Sequence, residues 1–197
     1  MSRPWLAPAR LGTGAVVLAA LAVGQVVNTY LPENPQASRA FEREGVVGRP
    51  IEMRPFTVEV TDVEGAEQVQ PQTGTSWASP GLVLVVTFTV TPSAEPRTVQ
   101  WAELRSGSRT TAVTTFGQRG RLDCPVGVAD LPSRCVATIE SAPGALPGSR
   151  LALAPNLDDD RWDDVAVVDL GISRADVDAW RDAEPMVLPE TGLVGAL

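Results

Sequence analysis

The chain has no lysine and no histidine, so all sixteen of its basic residues are arginine. Several chemistries go with them. Serine or cysteine hydrolysis needs a histidine or lysine base beside the nucleophile to take its proton, and the chain has neither. A zinc site takes four ligands, and two thiols without an imidazole fall short of that number. Aromatic residues are 5% of the chain, with one tyrosine, Tyr30. Twenty-four Asp and Glu supply carboxylates, but no aromatic-lined cleft of the glycosidase kind is suggested. The net charge of −8 argues against nucleic acid or anionic lipid as the partner of a soluble part. The composition therefore predicts a protein that is not an enzyme, with no catalytic residues, no cofactor and no metal.

Charge is also missing from residues 11–31, LGTGAVVLAALAVGQVVNTYL. Twenty-one residues rising about 1.5 Å each give a helix of about 31 Å, close to the ~30 Å of a hydrocarbon core. Arg3, Arg10 and the amino terminus precede the run, while Pro32, Glu33, Asn34 and Pro35 follow it. The positive-inside bias then leaves residues 1–10 in the cytoplasm and everything after residue 31 outside the cell membrane. Trp5 and Tyr30 fall near its two ends, where amphipathic rings prefer the interface. The competing reading is a cleaved signal peptide with Ala20-Leu21-Ala22 as its A-x-A site. Against it, apolar character continues through Val26, Val27, Tyr30 and Leu31. Within the run, Gly12, Ala15, Ala19 and Ala22 form a stripe of small residues that admits close approach of a second membrane helix.

The length that remains suits one domain. Cys124 and Cys135 are eleven apart on the expected oxidising side of the membrane, where a disulfide is the default. Pro125, Gly127 and Pro132 make the segment between them a turn-rich loop, which a bridge would staple by about 3 kcal/mol. Residues 32–50 carry three prolines, two glycines and mixed charge and read as a spacer.

From Phe56 the hydrophobic period is two. Phe56, Val58, Val60 and Asp62 are expected to share one face against Thr57, Glu59, Thr61 and Val63. Residues 65–81 read as a long connection. Leu82, Leu84, Val86, Phe88 and Val90 then form the clearest core face. Further strands follow around Trp101, at residues 110–116, around Cys135 to Ile139, at Leu151 and Leu153, and at 165–172. Seven strands without amphipathic helices between them predict an antiparallel β-sandwich over residues 51–172. Ser173 and Asp176 have the spacing of a capping box for a short helix reaching Arg181. Residues 173–197 are otherwise read as a loose tail.

An N-terminal span, a spacer, then IEMRPFTVEVTDVEGA, GLVLVVTFTVTP and DDVAVVDLGIS resemble the membrane-anchored immunoglobulin-like domains of envelope proteins in high-GC Gram-positive bacteria. The arginine-only, Ala/Val/Gly/Pro-rich composition fits a GC-rich genome. The resemblance covers about residues 10 to 175 and rests on strand rhythm. It implies an immunoglobulin-like fold and a binding or accessory role. It lends no site residues, and cysteines eleven apart cannot be the pin between two sheets.

Two motifs remain. Asn156, Asp158 and Asp160 match positions 1, 3 and 5 of a calcium loop, but Arg161 and Val167 stand where Gly and Glu belong, so the motif fails. Trp162 with Asp160 and Asp163 is instead a candidate partner contact. Residues 188–192 spell L-P-E-T-G, the pentapeptide cut by sortases, without the second apolar span and basic tail of a sorting signal. The expected function is a single-pass, extracytoplasmic accessory subunit bound to an integral membrane protein or envelope complex. The alternative is a secreted or wall-linked structural protein.

Overall fold

The computed structural model describes residues 16–25, 40–73, 75–113, 120–155 and 164–195. The chain divides into two compact units, Met1–Ser38 and Arg39–Leu197. In the first, residues 16–25 form helix α1 with exposed side chains. Ala19 and Ala22 lie on it; Gly12 and Ala15 lie outside the described residues. Among the described residues no helix is long and apolar enough to cross a membrane.

The second unit is a mostly antiparallel β-sandwich of twelve strands. One sheet takes β1 (Phe41–Val46), β10 (Asp164–Asp169), β9 (Arg150–Ala154), β5 (Trp101–Ser106) and β6 (Arg109–Val113), in that order. The other takes β11 (Met186–Val187), β3 (Phe56–Gln70), β4 (Trp77–Pro92), β8 (Ser133–Ser141) and β12 (Gly192–Leu193). On this second sheet β2 (Ile51–Glu52) pairs with β3, and β7 (Gly120–Asp123) pairs with β8.

All seven expected strands are present, and alternation explains their inner faces. Phe56, Val58, Val60 and the set from Leu82 to Val90 meet Leu104, Leu151, Leu153, Ala166 and Val168 of the facing sheet in one buried core. A bulge between Val60 and Asp62 inserts Thr61 into β3, and one extra residue reverses which side chains point inward. Val63 therefore opposes Val86 and packs on the core, while Asp62 opposes Thr87 on the outer face. The expected placing of Asp62 with Val60 is corrected accordingly.

The five additional strands are short. Residues 41–46 of the expected spacer form β1, parallel to β10, although its side chains are almost all exposed. Charge holds this edge. Glu42 meets Arg105 at 2.6 Å, Glu44 meets Arg150 at 3.3 Å, and Arg43 meets Asp164 at 3.3 Å. Beyond the core, helix α2 (Arg174–Arg181) begins in the expected capping box, with Ser173 and Asp176 satisfying each other's backbone amides. Its Val177 enters the main core and its Trp180 packs against it. The expected loose tail supplies β11, parallel to β3, and β12, antiparallel to β8.

Candidate functional site

Valines alternate on both faces of β4. Val83 and Val85 point away from the sandwich core, yet they are 1% and 2% exposed. With Ala66, Val69 and Val136 they make a second small core, against which Trp77, Met186 and Leu188 pack. The far ends of β3 and β4, read from sequence as a loop, continue as paired strand that carries Val69 and Trp77 to this outer face. The chain after α2 supplies the rest of the cover. The Leu188 amide donates to the Gln70 carbonyl at 2.8 Å, and Gln72 Nε2 donates to the Leu188 carbonyl at 3.0 Å.

Beside this cover lies a cleft of about 580 Å³, within the ~300–1,000 Å³ of small-molecule sites. Its floor comes from β7 and β8. Arg121 opposes Thr138 and Asp123 opposes Val136, and cross-strand partners share a face, so all four reach the same side. Pro71, Gln72, Thr73, Thr75 and Trp77 form one wall, and residues 188–191 form the other. Among the described residues, the side chains of Arg121, Asp123 and Glu190 have no hydrogen-bond or ion-pair partner. The cleft thus offers one guanidinium, two carboxylates, four threonine hydroxyls and an indole. It can bind a polar group by charge and an apolar one by stacking. It holds no base poised on a nucleophile.

The L-P-E-T-G residues are part of this wall. Leu188 is hydrogen-bonded as above, Gly192 opposes Arg134 in β12, and the Val194 amide donates to the Pro132 carbonyl at 2.8 Å. A transpeptidase needs its target segment free to extend. This segment is held at both ends within the sheet.

Two carboxylates share the outer face of β3. Partial desolvation at the sheet surface first, and then the neighbouring Asp62 charge, push the Glu64 carboxyl above its ordinary value. Both residues are exposed, and no group of three or more metal-binding side chains occurs among the described residues. Cys124 and Cys135 form a disulfide linking the strand ends at β7 and β8, within one sheet. Trp162, Asp160 and Asp163 lie outside the described residues. The cleft was not anticipated, because four residues of β7, GRLD, are too few to show alternation. Pairing them with the pattern in RCVATIE would have placed Arg121 and Asp123 on one face.

No protein-family model and no curated protein matches the chain. Two solved structures resemble it in fold. One is the crystal structure of the yjhA protein from Bacillus subtilis, at 14% identity and a TM-score of 0.47, over 64% of this chain and 99% of that one. The other is an uncharacterized beta-sandwich protein from Clostridium difficile 630, at 9% identity and a TM-score of 0.44, over 66% of this chain and 95% of that one.

Proposed function

We propose that this chain is a single-pass membrane protein whose extracytoplasmic, immunoglobulin-like sandwich serves as a non-catalytic accessory subunit of an envelope membrane-protein complex. The observation that carries this reading is an uncharged run at residues 11–31 placed ahead of a domain closed by the Cys124–Cys135 disulfide. The first has the length of a bilayer core, and the second belongs to an oxidising compartment. The cleft between Trp77 and Arg121 gives such a subunit a place to engage a polar segment of its partner. The pinned L-P-E-T-G segment weighs against the wall-linked alternative.

Fractionation of the native host tests the reading. The chain should stay in membranes through carbonate washing, keep its N-terminus, and react with thiol reagents only after reduction. Co-purifying proteins should include an integral membrane protein. A mature N-terminus at Val23 in the medium, or two free thiols in the unreduced protein, would overturn it.

A further inference from the structure

The loop between Cys124 and Cys135 spends order on displaying apolar side chains. Val126 is 65% exposed, Val128 48% and Leu131 49%. The loop backbone is nevertheless fixed. Besides the disulfide, the Gly127 amide donates to Arg97 at 3.0 Å, Asp130 to Pro92 at 2.9 Å and Leu131 to Val128 at 3.1 Å. Asp130 holds a φ of 60° to make the turn. Aliphatic side chains grouped on one rigid loop and left in water mark a contact surface.

The loop's place in the fold says which surface. Pro92, to which it is bonded, opposes Phe56, and the Ser93 amide donates to Pro55. Arg54 beside them donates its amide to Asp164, which opposes Phe41. The loop and the first residue of β1 therefore occupy the same end of the sandwich. Phe41 is 63% exposed. Only nine residues, 32–40, separate it from the uncharged run, which at full extension is about 30 Å.

Resting on the anchoring reading above, we infer that the disulfide-closed loop lies on the outer surface of the bilayer that anchors the chain, with Val126, Val128 and Leu131 entering the interface. The short tether holds this end at high effective concentration near lipid, so a small apolar contact suffices. A protein interface takes about 800 Å² from each partner, more than three loop side chains offer. Arg43 and Arg54 at the same end are paired with Asp164, and Arg97 is paired with Glu95, so these guanidinium groups are already matched by carboxylates. The net charge of −8 gives the domain no general attraction to lipid, so the contact is apolar and local.

The test uses the full chain in phosphatidylcholine vesicles, its native disulfide intact and an environment-sensitive fluorophore attached through Val128→Cys. Gly144→Cys is the control, because residue 144 follows the opposite end of β8 and a side chain there meets nothing. Lipid-borne nitroxides should quench position 128 about threefold or more over position 144, as for a residue seated in the interface. Adding Val126→Asp and Leu131→Asp should return quenching at 128 to the control level. Equal quenching at 128 and 144 in chains that survive carbonate washing overturns the inference while leaving the anchor intact. Chains lost to carbonate overturn the anchor and the inference with it.

Discussion

Asp164 shows how one buried charge ties the edge strand to the sandwich. Its side chain is 2% exposed and meets Arg43 at 3.3 Å and Arg54 Nε at 3.4 Å. The Arg54 amide also donates to it at 2.9 Å. Burial by itself would raise the carboxyl's pKa, but the Arg54 amide and the two guanidinium charges outweigh burial and leave it below the ordinary value. Both arginines are half exposed, so water screens their attraction, and the amide bond to the buried carboxylate matters most. Asp164→Asn should cost about 2 kcal/mol in urea denaturation at neutral pH. Because the native pKa is lowered, this stabilisation is complete above the ordinary carboxylate value of 3.8. It is lost as pH falls through the native value. The gap between the two proteins should therefore narrow in acid, and a gap constant down to the acid limit would show that the charge is not its source. None of this was legible in the sequence, where Asp164 is the last residue of an acidic run and its Arg54 partner is 110 residues away.

At the scale of elements, what alternation or a cap could signal was legible. The inner faces of β4, β8 and β9, and of β3 as far as its bulge after Val60, follow the period of two, and α2 begins where Ser173 and Asp176 predict. Strands β1, β2, β7, β11 and β12 were not legible, since they owe their geometry to a neighbour more than to a pattern of their own. The cleft depends on three of these segments, so it escaped sequence reading with them. The docking of α2 also depends on a residue without a side chain. A Cβ on Gly65 would lie 2.6 Å from Trp180 Cε3 and 2.7 Å from its Cδ2. Gly65 opposes Leu84 on the core face of β3, so neither the strand nor the ring can yield without moving the helix. Gly65→Ala should cost about 1–3 kcal/mol by overpacking. Trp180→Ala should relieve most of that penalty in a double-mutant cycle followed by urea denaturation. Additive losses in the cycle would mean that the glycine serves the strand and not the helix.

For the whole molecule, the anchoring proposal raises the question of what the uncharged run would do in a membrane besides span it. Its small residues at 12, 15, 19 and 22 recur at steps of three and four, the spacing that would align them on one face of a helix running through the whole stretch. Positions 19 and 22 fall on α1. In lipid the hydrophobic effect does not drive helices together, so association depends on backbones approaching closely enough to pack. Ala19→Ile leaves insertion undisturbed, because isoleucine is as acceptable to lipid as alanine. It does place a branched side chain in the middle of the small stripe. Leu18→Ile makes a similar change about 100° around the helix and leaves the stripe alone. If the chain joins its complex through this helix, Ala19→Ile should lose the co-purifying membrane protein while Leu18→Ile keeps it, with both variants equally resistant to carbonate. Should Ala19→Ile retain every partner, the stripe is mere composition. Recognition would then belong to the sandwich, and Arg121→Ala and Trp77→Ala in the cleft, then Trp162→Ala in the acidic segment, would be the variants that release the partner.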